Sequence, residues 1–243
     1  MPRNLFDQDL HDDDLNDNVA MLPRATCPME HLFYSRKGKS CDKWHHYLEL
    51  YDRHLARFRD RPVRLLEIGV QEGGSLELWR EYFGAHAVIH GLDIDPACAR
   101  HATLDLHVHI GDQSDVALLQ TIVSEMGGID LVIDDGSHLN EHQIITFAAL
   151  FPLLSADGLY ICEDTHTSYW TSHGGGFNDP RSFLSYAKRL VDDMHSWHID
   201  EYVNDDLARK MKSVLFYDSM VVVERADREP PRRSIAPRAC IKP

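Results

Sequence analysis

The sequence lacks the marks of several large protein classes. No apolar run approaches the roughly 18 residues needed to cross a bilayer. The amino terminus, Met1-Pro-Arg-Asn-Leu-Phe-Asp7, carries no apolar segment of secretory type, so a cytoplasmic location is expected. Positive charge is scarce: 25 Lys and Arg face 39 Asp and Glu, a formal charge of −14. A phosphate-binding surface needs clustered cations, so no nucleic-acid partner is expected, and no membrane partner either. Cysteine is sparse and scattered: Cys27, Cys41, Cys98, Cys162 and Cys240 are odd in number and form no CxxC pair. That pattern builds neither a disulfide framework nor a zinc knuckle, and it suits a reducing compartment. No internal repeat is present.

The 243 residues suffice for one α/β domain with a full core. Residues 1–25 are acidic and aperiodic, with Asp12-Asp13-Asp14 at the centre of the charge, and are expected to be a disordered tail. Residues 26–225 form the single predicted domain. Residues 226–243, with four prolines and several arginines, are expected to be a second disordered tail.

Within the domain, apolar periodicity gives the elements. Trp44, Leu48, Tyr51, Leu55 and Phe58 recur at helical spacing, which predicts an amphipathic helix over 42–59. Strands follow at 63–68, 87–92, 106–110, 129–133 and 158–162. Helices at 75–83, 116–126 and 140–153 lie among them, and another is predicted at 181–194. Two β-rich runs at 213–217 and 220–224, joined through Asp218-Ser219, read as a hairpin. Such alternation predicts an α/β fold: a seven-stranded, mostly parallel sheet, a C-terminal antiparallel hairpin, and helices on both faces. The stretch 164–180, rich in glycine and aromatics, is long for a compact domain and follows a strand end, where ligands of open sheets bind.

The first strand leads into Glu67-Ile-Gly69-Val-Gln-Glu-Gly73-Gly74-Ser75. Glycines here let the backbone approach a ligand and present N–H groups from a helix start. The spacing is not the GxGxxG of dinucleotide sites. Glu67 at the strand end would repel a pyrophosphate but attract an ammonium or sulfonium. S-adenosylmethionine (SAM) carries both and no phosphate. Asp93 ends the second strand, where an acid can take ribose hydroxyls. Asp112 and Gln113 follow the third strand at an adenine position, and Asp134 ends the fourth, beneath a reacting sulfonium. Gly69, Gly73 and Ser75 complete the expected cofactor set.

Strand four ends in Asp134-Asp135-Gly-Ser-His138 and strand five in Glu163-Asp164-Thr-His166. Neighbouring strands lie about 5 Å apart, so Asp135, Glu163 and Asp164 gather at one edge. Three carboxylates repel unless a cation joins them, and oxygen ligands suit Mg2+, with Mn2+ as a second choice. His138 and His166 with one carboxylate would instead suit a non-haem iron oxygenase, which leaves the glycine loop unexplained.

With both motifs in view, the chain resembles the metal-dependent macrolide sugar O-methyltransferases of the mycinamicin and tylosin type. The likeness covers about residues 35–225. It is carried by Ser40-Cys-Asp-Lys-Trp44, Leu65-Leu-Glu-Ile-Gly-Val-Gln-Glu-Gly-Gly-Ser75, Gly91-Leu-Asp-Ile-Asp-Pro96, Ile133-Asp-Asp-Gly-Ser-His138 and Tyr160-Ile-Cys-Glu-Asp-Thr-His-Thr-Ser-Tyr-Trp170. The resemblance implies a Rossmann-like class I methyltransferase fold, SAM, and Mg2+ held by Asp135, Glu163 and Asp164. It also implies a catalytic base at His138. The acceptor would be a small-molecule glycoside or glycan, with His166, Tyr169 and Trp170 in reach of it; a homo-oligomer is expected. A phenolic or catechol acceptor, and a non-catalytic SAM-binding role, remain alternatives at this point.

Overall fold

A computed structural model describes residues 25–199 and 205–235. Five short apolar segments make the parallel part of its sheet: β1 (Arg64–Ile68), β2 (Val88–Asp93), β3 (Leu106–Ile110), β4 (Ile129–Asp134) and β5 (Leu154–Cys162). Two antiparallel strands, β6 (Met211–Tyr217) and β7 (Met220–Arg225), complete an order of β3-β2-β1-β4-β5-β7-β6. The expected seven-stranded sheet with its C-terminal hairpin is therefore present.

Side chains of a strand alternate between faces. Leu65, Ile133 and Val222 face one core with Leu48 and Tyr51 of α2 (His45–Leu55) and Leu76 and Trp79 of α3 (Gly74–Phe83). Met29 of α1 (Pro28–Ser35) joins them. Leu66, Val132 and Tyr160 face the other core. There they meet Leu119 of α4 (Val116–Glu125), Phe147 of α5 (Asn140–Leu150) and Leu190 of α6 (Phe183–Met194). Short α7 (Asp205–Lys210) precedes β6. Helices thus cover both faces, as the alternation predicts.

Local chemistry sets the boundaries. Asp115 accepts from the amides of Ala117 and Leu118 and starts α4. Ser182 caps α6 through the amide of Ser185. The helix expected over 140–153 gives way at Leu150 to a tighter turn, Phe151–Leu153, because Pro152 offers no N–H. β5 begins at Leu154, four residues earlier than its apolar run. α1 has no counterpart among the predicted elements: eight residues with a single buried side chain, Met29, give too little periodicity to read. The stretch 164–180 holds two short turns, Thr165–Tyr169 and Thr171–His173.

The acidic tail, apart from its last residue, lies outside the described residues, as do residues 236–243 of the C-terminal tail. Residues 226–235 carry no helix or strand. Among the described residues, no helix is long and apolar enough to cross a membrane.

Candidate functional site

A cavity of about 490 Å3 opens at the C-terminal ends of the parallel strands. This is the side where open α/β sheets bind ligands, and the volume suits a nucleoside-sized molecule. Its wall carries Gly69, Ser75, Asp93, Asp112, Gln113, Asp135, His138 and Asp164 of the expected residues.

The glycine loop follows β1. Gly73 has φ +74°, and a Cβ on it would stand 2.7 Å from the His101 ring. Gly69 has φ +91°, and its Cβ would stand 2.1 Å from the backbone oxygen of Asp135. Both positions therefore demand glycine, and the second presses the glycine loop against the loop after β4. Asp93 is clamped by backbone: Oδ2 accepts from the amides of Val70 at 2.8 Å and Gln71 at 3.0 Å, and Oδ1 from Asp95 at 2.9 Å. Burial works against its charge, but those three amides outweigh it and hold the carboxyl below the usual range. Asp112 accepts from the amide and hydroxyl of Ser114, both at 2.8 Å, which likewise hold its carboxyl low.

Two of the strand-end acids do not face the cavity. Glu67 is fully buried and accepts from Ser75 Oγ at 2.7 Å and Trp79 Nε1 at 2.9 Å. Burial pushes its carboxyl up to about 7. Asp134 is buried on the opposite face, where Tyr160 Oη donates to it at 2.7 Å and Gln113 Nε2 at 3.1 Å; burial raises it to about 6. Strand alternation explains both: Glu67 shares the face of Leu65, and Asp134 that of Val132. These acids brace the walls from behind.

Beside the cavity, Asp135, His138 and Asp164 each offer a ligand atom, all within 4.8 Å of one another. His138 Nε2 lies 3.9 Å from Asp135 Oδ1 and 3.7 Å from Asp164 Oδ2. His138 and Asp164 both hold left-handed backbone, at φ 55° and 51°, a strained choice for non-glycine residues that clusters at functional sites. Asp164 Oδ1 is anchored by Tyr47 Oη at 2.9 Å and Trp44 Nε1 at 3.2 Å, which leaves Oδ2 toward His138. Nδ1 of His138 is buried without a hydrogen-bond partner. The two carboxylates offer oxygens that suit a divalent cation, and the imidazole stands beside them.

Glu163 stands apart from that trio. Its Oε1 accepts from Tyr51 Oη at 2.5 Å and its Oε2 from Lys43 Nζ at 3.0 Å. Lys43 also bonds Asp135 Oδ2. Burial and the charge of Asp135 push the Glu163 carboxyl above the usual range. Burial opposes the Lys43 charge too, yet Asp135 and Glu163 outweigh it and hold the ammonium well above the ordinary lysine range. His166 is likewise outside the trio; its ring sits between Trp44 and Trp170, with centroids 6.1 and 4.8 Å away. Among the described residues, His166 joins no group of ligand atoms close enough to share a metal ion. Tyr169 and Trp170 are exposed beside it. Lys43, Tyr47 and Tyr51 are not among the expected site residues. Lys43 lies within the stretch Ser40-Cys-Asp-Lys-Trp44, and Tyr51 reads from the sequence only as an apolar position of the predicted helix.

The sheet order, the glycine loop after β1 and the acid that ends β2 together define the class I methyltransferase fold. No protein-family profile matches the chain. It is 43% identical over 164 residues to 8-demethyl-8-alpha-L-rhamnosyl tetracenomycin-C 2'-O-methyltransferase of Streptomyces olivaceus, covering 63% of this chain and 43% of that protein. It is 40% identical over 159 residues to Mycinamicin VI 2''-O-methyltransferase of Micromonospora griseorubida, covering 61% and 39%. The solved structure of MycE methyltransferase from the mycinamycin biosynthetic pathway, in complex with Mg, SAH and mycinamycin VI, superposes with a TM-score of 0.71. It is 34% identical and covers 81% of this chain and 52% of that one. Over most of its α/β domain this chain is similar to these antibiotic sugar O-methyltransferases. The chain spans half or less of the length of these curated relatives.

Proposed function

We propose that the chain is a SAM- and Mg2+-dependent O-methyltransferase acting on a sugar hydroxyl of a small glycoside. One observation carries the reading: two carboxylates suited to a divalent cation, Asp135 and Asp164, stand with His138 on the wall of the same cavity as Asp93. Such an arrangement brings a methyl donor and an activated hydroxyl into one enclosure.

In this reading Asp93 receives the ribose hydroxyls, Asp112 and Gln113 border the adenine, and Gly69, Gly73 and Ser75 shape the loop around the methionine end. Glu67 and Asp134 stand behind the walls, and each adds negative potential only in its ionised form. Asp135, Asp164 and Glu163 hold the divalent cation. When bound, that cation supplies Lewis acidity, which makes a nearby sugar hydroxyl easier to deprotonate. His138 takes the proton at Nε2. His166, Tyr169 and Trp170 border the acceptor, where indole faces suit the C–H face of a sugar ring.

The test is transfer of labelled methyl from SAM to a panel of glycosides and catechols, with Mg2+ and with EDTA. Mg2+-stimulated transfer to a glycoside hydroxyl supports the reading. Transfer that ignores EDTA removes the metal role. Transfer to catechols alone moves the acceptor to the phenolic class, and SAM binding without any transfer points to a non-catalytic partner.

A further inference from the structure

We infer that the Lys43 ammonium is an internal rival of the divalent cation, holding Asp135 and Glu163 while the metal is absent and yielding Glu163 when it binds. The inference rests on the metal role proposed above.

Lys43 lies just before α2, and its side chain is only 3% exposed. Its ammonium bonds carboxylates from the ends of two neighbouring strands, Asp135 after β4 and Glu163 after β5. Both oxygens of Glu163 are thereby committed, one to Lys43 and one to Tyr51. Glu163, though next in sequence to Asp164, is not part of the trio. Without Lys43, the buried Glu163 carboxylate would face the half-buried Asp135 carboxylate unneutralised.

A dication entering beside Asp135 supplies the charge that the ammonium supplied. The two cations then repel across a buried site where screening is weak. Glu163 Oε2 gains more from the dication, and Lys43 has somewhere to go: it borders the main cavity together with Asp42. Tyr51 stays on Oε1 and keeps the carboxylate oriented through the exchange. Metal binding and the Lys43 contact are therefore antagonistic.

The probe is Mn2+, with affinity read by titration calorimetry and electron paramagnetic resonance. Lys43→Met is expected to bind Mn2+ at least tenfold more tightly than the wild-type protein. Its Tm in EDTA should fall below wild type and recover with Mn2+. Equal or weaker Mn2+ binding by the variant overturns the inference, since a lysine that merely orients the carboxylates would be missed by the metal. Should Lys43→Met fail to fold, acylation of the wild-type protein decides. Lys43 should resist a lysine-acylating reagent in EDTA and become reactive in saturating Mn2+; unchanged protection overturns the exchange. If wild-type protein binds no Mn2+ at all, the metal role itself fails, a result distinct from either of these.

Discussion

His138 Nε2 lies 3.7 Å from Asp164 Oδ2, and both residues take left-handed backbone to reach that position. The imidazole faces the cation-fitting carboxylates, while its other nitrogen is buried with no partner. The proposed role as base predicts a clean separation. His138→Ala should lower kcat by about 10²- to 10⁴-fold, the usual worth of general base catalysis, with SAM affinity unchanged by calorimetry. If the variant loses SAM binding instead, the assignment as base is wrong.

Asp164→Asn tests the metal role of the neighbouring acid with little structural damage. The amide oxygen can still accept from Tyr47 and Trp44, and asparagine tolerates the left-handed backbone. Mn2+ affinity should fall at least tenfold while the Tm stays near the wild-type value. A variant with normal Mn2+ affinity would remove Asp164 from the ligand set.

Much of this site was legible in the sequence because it sits at strand ends. Acids placed after apolar runs must reach the C-terminal edge of a parallel sheet, so Asp93, Asp135 and Asp164 are found on the cavity wall. Glu67 and Asp134 are the instructive exceptions. Like Asp93 they lie inside their strands, but their side chains fall on faces where Trp79 and Tyr160 bond them and keep them off the cavity. Lys43 was illegible for another reason: its partners lie 92 and 120 residues away, and no local pattern reports such a contact. A lysine beside a helix start reads as a solvated charge until the fold closes over it.

The burial of Glu67 has a consequence for stability against pH. Its carboxyl is pushed up to about 7 from an ordinary 4.5, first by burial. A folded pKa raised above the unfolded one contributes stability that is complete below about pH 4.5 and lost as pH rises through about 7. Glu67→Gln removes that loss. Its amide can still accept from Trp79 and donate to the Ser75 hydroxyl, which rotates to accept. Between pH 4 and pH 8 the wild-type protein should therefore lose about 3 kcal/mol relative to the variant, read from urea unfolding at each pH. A difference that stays flat with pH would show that Glu67 titrates alike in both states.

Gly69 ties the two halves of the site together, and its replacement should damage both. The residue sits at φ +91°, where an L side chain is strained, and its Cβ would stand 2.1 Å from the carbonyl oxygen of Asp135. The atoms it would meet, in Asp135 and Gly136, are backbone rather than flexible side-chain tips that could swing away. The strain alone costs on the order of 1–3 kcal/mol, and relief requires the loop after β4 to move. Asp135 and His138 ride on that loop. Gly69→Ala is thus expected to lower the unfolding free energy by more than about 1 kcal/mol and to weaken SAM and Mn2+ binding together. Gly174→Ala is the matched control, with φ +74° but no atom within 4 Å of its Cβ. It carries the backbone strain without the collision, so it should cost stability while leaving Mn2+ affinity intact. Loss of SAM binding alone in Gly69→Ala would show that the two loops move independently.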